Sequence, residues 1–178
     1  MKPLFIIGYM GSGKTTFGKA LAANTGMRFI DLDFYIEQRH HATVRDIFAK
    51  HGEAGFREIE REMLHEVANF EDVIISCGGG TPCFFDNMDY MNEMGTTLWL
   101  QASHDTLFSR LIRKREKRPL LAGHTDEEIK EIISTQLSSR APFYSKAIHT
   151  WQSDSLEDRR QIDSNISDFM EASIFFKK

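Results

Sequence analysis

The stretch Gly8-Tyr9-Met10-Gly11-Ser12-Gly13-Lys14-Thr15 leaves few folds open to the chain that carries it. Two glycines separated by four residues and followed by Lys and Thr make a phosphate-binding pattern that works only between a strand and a helix. Residues 4–7 supply a short apolar run for the strand, and residues 17–22 have helical spacing. Loop N–H groups can then turn inward around phosphate oxygens, and the helix adds its positive N-terminus. Lys14 is placed to reach β- and γ-phosphates and the Thr15 hydroxyl to ligate Mg²⁺. A nucleoside triphosphate is the expected ligand, since a turn that binds nothing needs none of these positions filled.

The rest of the chain alternates between the two periodicities. A helix is expected over 14 to about 25, stopped by Gly26, and a strand over 27–31. Three helical stretches follow, at 33–39, at 43–51 behind a Thr43 cap, and at 53–69. A strand at 72–77 breaks on Gly78-Gly79-Gly80-Thr81-Pro82. Then come a helix near 86–94, a strand at 96–100 and a helix from 103 to about 114. Residues 115–124 lack periodicity and read as a mobile loop. Thr125 and Glu128 form a capping box for a helix running toward 139. A strand at 147–151 and a helix at 156–170 complete the series, with 174–178 a packed or frayed end.

Strands apolar on both faces, alternating with helices, imply a three-layer α/β/α fold around a parallel five-stranded sheet. Ligands in such folds sit at the carboxyl ends of the strands. The 178 residues suit one domain with one core. Cys77 and Cys83 suggest neither a disulfide framework nor a redox pair, and there is no zinc-type spacing. With no run near the length of a membrane span and no leader ahead of the first strand, a cytoplasmic protein without a membrane partner is expected. The net charge is −4, yet six cationic side chains between Arg110 and Arg118 face only Glu116. A basic strip on an acidic body argues against nucleic acid and for a local anionic ligand.

Four further features carry chemistry. Alternation along an extended chain puts Asp31 and Asp33 on one side, where one can hold Mg²⁺ waters and the other orient a hydroxyl. A helix cap by Asp33 is the competing reading. Arg57 and Glu60 share a helix face, as a surface ion pair or as a guanidinium held toward a pocket. Three glycines at 78–80 point to close approach of backbone and substrate, or to a tight turn. Arg118 in the loop can neutralise charge during phosphoryl transfer. Arg140, at the end of the next helix, reads either as a ligand group or as a charge that satisfies the helix dipole.

Phosphate loop, DxD, GExxFRxxE, GGG, RPLL and RxxxY, in this order, resemble shikimate kinase over nearly the whole chain. The resemblance implies a fold of the phosphate-loop nucleoside kinase type, with substrate-binding helices at about 33–61 and a mobile lid at about 113–125. It implies transfer of the γ-phosphate of ATP to the 3-hydroxyl of shikimate, toward aromatic amino acids. Gly11, Ser12, Gly13, Lys14, Thr15 and Thr16 would hold ATP, with Mg²⁺ on Thr15 and, through water, on Asp31. Asp33 would bind shikimate hydroxyls and act as base. Arg57 and Arg140 would grip the carboxylate, Gly79 and Gly80 would meet the substrate through backbone, and Phe48 and Phe56 would pack on its ring. Arg118 would reach ATP from the lid. The adenine-side arginine stays open between Arg110 and Arg113, and 152–158 shows no match to the family's adenine loop. A monomer is expected.

Three other functions compete. A gluconate kinase of the same fold also takes a polyhydroxylated carboxylate. A nucleoside monophosphate kinase would need a second nucleotide pocket that is not evident. A non-catalytic ATP-binding switch would have lost its substrate residues, whereas Asp33, Arg57, Arg118 and Arg140 are present.

Overall fold

The computed structural model describes residues 1–113 and 123–173. Five parallel strands, β1 Leu4–Ile7, β2 Arg28–Asp31, β3 Val73–Ser76, β4 Thr96–Gln101 and β5 His149–Gln152, form one sheet in the order β2-β3-β1-β4-β5. The expected five-stranded parallel sheet is therefore present. The first strand lies at its centre, with Phe5 opposite Ile75 on one side and Thr97 on the other. Because the chain reaches β3 and β4 on opposite sides of β1, the loop leaving β1 opens into the crevice where strand order reverses.

Both faces of the central strands β1 and β3 are buried, and alternation within single strands divides the core. Leu4 and Ile6 pack with Phe17 and Leu21 of α1 (Lys14–Thr25) and with Ile166 and Phe169 of α7 (Arg159–Ala172). The edge of Phe17 meets Phe169 at a centroid distance of 5.2 Å, joining the two helices. Phe5 and Ile7 face the other layer, built from α2 (Leu32–His40), α3 (Val44–Val67), α4 (Asn87–Met94), α5 (His104–Ile112) and α6 (Asp126–Tyr144). Each fully buried side chain of this size contributes about 1.5–3 kcal/mol. Among the described residues, no helix is long and apolar enough to cross a membrane.

Local chemistry sets the element ends. Thr43 and Asp46 make a reciprocal capping box on α3, and Thr125 and Glu128 do so on α6. The two helical stretches expected on either side of residue 52 are one element interrupted there, where Gly52 has φ 68° and ψ −177°. The α6 helix runs five residues past 139. Pro142 lies in its last turn, where it removes one N–H donor two residues before the helix ends. Arg140 is consequently an internal helix residue rather than a terminal charge. Most of the expected lid falls outside the described residues, as does the 174–178 tail.

Candidate active site

The phosphate loop bends from β1 into α1 with Gly11 at φ 86° and Gly13 at φ 93°, conformations that side chains rarely tolerate. Lys14 Nζ donates to the carbonyls of Gly8 at 2.8 Å and Tyr9 at 3.0 Å, so the loop cradles its own lysine. Ser12 is buried, whereas Thr15 and Thr16 are exposed at the start of α1. The loop forms one wall of a cleft of about 650 Å³, and Asp31, Asp33, Gly78 and Gly79 lie among its other lining residues.

Thr15 Oγ1 donates to Asp31 Oδ2 at 3.0 Å, bringing a hydroxyl and a carboxylate together beside Lys14. Among the described residues, no group of three or more His, Cys, Asp or Glu could hold a metal by itself. Two protein oxygens short of a full cage suit Mg²⁺, which keeps waters and takes its remaining ligands from substrate phosphates.

Asp31 and Asp33 converge for a different reason from the one expected. The chain leaves its extended form at Asp31, which caps α2 by accepting from the Phe34 N–H at 3.4 Å. Asp33 is in the first helical turn, so the cap is Asp31 and strand alternation does not apply. The carboxyl of Asp33 is pushed up to about 6 by burial first, then by the charges of Asp31 and Glu60, with Lys14 and Arg57 opposing. Such a group is ionised at neutral pH yet readily takes a proton.

The three glycines follow β3 directly beside the phosphate loop, where a Cβ on Gly79 would meet the Gly8 carbonyl at 3.5 Å and the Met10 N–H nitrogen at 3.6 Å. A Cβ on Gly80 would come within 2.7 Å of the Arg57 guanidinium, and one on Gly79 within 3.1 Å of Arg140 Nη1. On Gly78 it would crowd Asp33 Oδ1 and Glu60 Oε1, each at 3.2 Å. Close approach is thus the reason for the run, and what approaches is the protein's own charged groups. The turn draws together an arginine from α3 and one from α6, and burial pushes the nearby Cys83 thiol up while both guanidiniums oppose it. Phe48 and Phe56 stack on each other at 4.2 Å. Arg57 lies over Phe56 at 5.2 Å and Phe84 at 4.0 Å.

Arg57 Nη1 donates to Glu60 Oε2 at 2.7 Å, and Glu60 is only 1% exposed, so this is not a surface pair. Thr81, fully buried, donates from Oγ1 to the other Glu60 oxygen at 2.6 Å, and Asn87 Nδ2 donates to the Thr81 carbonyl at 2.9 Å. The hydroxyl of Tyr144 donates to the Gly79 carbonyl at 2.5 Å. Thr81 and Asn87 were given no role from the sequence, and Tyr144 entered only as the last residue of RxxxY, without a role of its own; Glu60 lies 21 residues from Thr81 and Gly79 lies 65 from Tyr144.

At the other end of the cleft, Arg110 and Arg113 both line the wall but differ in restraint. Arg110 donates to the carbonyls of Gly11, Ser153 and Asp154 and to Glu157 Oε1, whereas Arg113 is 64% exposed and, among the described residues, donates to Glu157 Oε2. The segment 152–158, unmatched in sequence, therefore provides the anchors of Arg110. Arg118 lies outside the described residues.

Comparison with known proteins points one way. The family model for shikimate kinase matches residues 10–171. A shikimate kinase of Phocaeicola vulgatus is 55% identical over 93% of this chain and 95% of its own. The crystal structure of a Bacteroides thetaiotaomicron shikimate kinase superposes with a TM-score of 0.92 at 52% identity, over 96% of this chain and 97% of that one. A shikimate kinase of Acinetobacter baumannii in complex with shikimate gives 0.82 at 28% identity, over 96% and 92%.

Proposed function

The chain belongs to the shikimate kinase family, and we propose that its cleft transfers the γ-phosphate of ATP to the 3-hydroxyl of shikimate, giving 3-phosphoshikimate and ADP. One observation carries this reading. Asp33, Arg57 and Arg140 meet around a single glycine turn that lies directly beside the phosphate loop, with Asp33, Gly78 and Gly79 lining the same cleft as Lys14 and Thr15. Two guanidiniums match one carboxylate, and a carboxylate with backbone donors matches the hydroxyls.

In this scheme Asp33 positions the attacking hydroxyl and accepts its proton as the new oxygen–phosphorus bond forms and the bond to the ADP oxygen breaks. Lys14 and the loop N–H groups hold the phosphates, and Arg118 adds positive charge to the transferring group. Thr15 and Asp31 are the residues that would hold Mg²⁺, which when bound neutralises phosphate charge. Arg110, tied to both the phosphate loop and 153–157, is the better placed of the two arginines to border the adenine. One copy carries every group the scheme uses, which supports a monomer acting as a single kinase domain.

Arg57→Ala should raise the KM for shikimate roughly 10- to 100-fold, the worth of a charge-assisted contact, with the KM for ATP nearly unchanged. An unaltered shikimate KM would remove Arg57 from the site. Glu60 is left buried without its cation, so the variant should also melt earlier. The overall reading is tested by ADP release from MgATP with shikimate or gluconate added separately. Release with shikimate alone is expected. Release with gluconate alone would move the assignment to the sister kinase, and silence with both despite ATP binding would favour a non-catalytic switch.

A further inference from the structure

The glycine turn is held at its ends by its own backbone, with the Thr81 N–H on the Gly78 carbonyl at 3.2 Å and the Cys83 N–H on the Gly80 carbonyl at 2.8 Å. The remaining carbonyl, that of Gly79, is not used by the turn. It accepts instead from Tyr144, a fully buried residue at the end of α6. The peptide between Gly79 and Gly80 has a glycine on each side, so no Cβ resists its rotation. Gly80 now sits at φ −88°, but the mirror-image conformation is equally open to it. A trans peptide points its N–H opposite to its carbonyl. A carbonyl drawn inward by a buried hydroxyl therefore turns the Gly80 N–H away from that hydroxyl, in a residue so close to the Arg57 guanidinium that a Cβ there would meet it at 2.7 Å. The same hydroxyl neighbours Arg140: burial pushes the Tyr144 hydroxyl up, and the guanidinium opposes it.

We propose that Tyr144 is a positioning residue for the acceptor. Its hydroxyl, bonded to the Gly79 carbonyl, locks the Gly79–Gly80 peptide so that the Gly80 N–H faces the bound carboxylate side of shikimate. This rests on the reading of the cleft given above and deepens it. Tyr144 is not among the residues that line the cleft and acts through the glycine peptide, while its ring packs against Trp99 at 5.7 Å.

The test is Tyr144→Phe, which keeps the ring and removes the hydroxyl. The matched control is Tyr35→Phe, which loses a hydroxyl bond of 2.8 Å to Glu66 away from the glycine turn. The expected result is a roughly tenfold rise in the KM for shikimate, the scale of one hydrogen bond lost at a buried carbonyl. The KM for ATP should stay within about twofold and kcat within about threefold, and the Gly80 amide resonance should shift in a ¹⁵N-labelled sample. Tyr35→Phe should leave the shikimate KM in place. An unchanged shikimate KM in Tyr144→Phe would overturn the proposal. So would parallel changes in both KM values and kcat, an equal effect from Tyr35→Phe, or failure of Tyr144→Phe to fold, since each makes Tyr144 a packing residue only. If the wild type itself proves inert toward shikimate, the reading of the cleft falls and this proposal with it. An active wild type with an unaffected variant removes the proposal alone.

Discussion

Lys14→Ala is expected to retain the fold and to lose turnover by roughly 10²–10³-fold or more, the scale on which removal of one preorganised donor at a developing charge is felt. In the structure, Lys14 is held by the Gly8 and Tyr9 carbonyls at the mouth of the phosphate loop. Its ammonium is therefore already oriented before nucleotide arrives, and little reorganisation is left for the reaction step. Phosphoryl transfer asks the protein for placement and charge rather than covalent chemistry, so losing this cation is not offset elsewhere. A second effect acts in the same direction. Lys14 opposes the rise of the Asp33 pKa, so the variant should keep Asp33 protonated to higher pH and lose base function as well. Steady-state ADP release, with circular dichroism to confirm folding, checks the prediction. Turnover equal to wild type would sink the scheme.

The same lysine shows which parts of the site are legible in a sequence. The phosphate loop could be read outright because its chemistry is local: consecutive backbone donors and a helix start lie within eight residues. The sheet was legible because strands buried on both faces leave continuous apolar runs, and the split of Leu4 and Ile6 from Phe5 and Ile7 into two layers follows from the pleat alone. The glycine run was readable as a close approach, but not as an approach by Arg57 and Arg140, because contacts between distant segments leave no local periodicity. The DxD pair was placed on one side for the wrong reason. A capping carboxylate at Asp31 starts a helix two residues before Asp33, and a helical first turn, not alternation, aims the second carboxylate. Arg140 was left open between a ligand group and a terminal helix charge because the helix was expected to run only toward 139, whereas it continues through Tyr144. Tyr144 was visible only as part of RxxxY and Thr81 only as the residue after the glycines, because what each bonds, the Gly79 carbonyl and the Glu60 carboxylate, lies on a distant segment.

Asp33→Asn should lower kcat by about 10²–10⁴-fold, the range for a positioned general base, while making the protein more stable at neutral pH. The stability half follows from the raised pKa. A carboxyl at about 6 in the folded chain against 3.8 in its ordinary state binds its proton more tightly when folded. Its ionised form therefore destabilises the fold above about pH 6, by up to about 3 kcal/mol. That penalty fades as pH falls from about 6 toward 3.8, where the folded and unfolded chains are protonated alike. The advantage of Asp33→Asn in melting temperature should accordingly be full at pH 7.5, shrink below pH 6 and vanish near pH 4. In the wild type, kcat/KM for shikimate should fall about tenfold per unit below the same pKa, because only the ionised carboxylate can take the proton. The two readouts are independent. A variant that lost activity without gaining stability would leave Asp33 in the site but reject the burial and like-charge origin of its basicity. Full activity would reject it as the base. Keeping a carboxylate among Asp31, Glu60 and buried walls disfavours the folded state, and the tolerance of that strain at this position, beside the glycine turn and the phosphate loop, is the reason to propose Asp33 as a working group rather than a structural one.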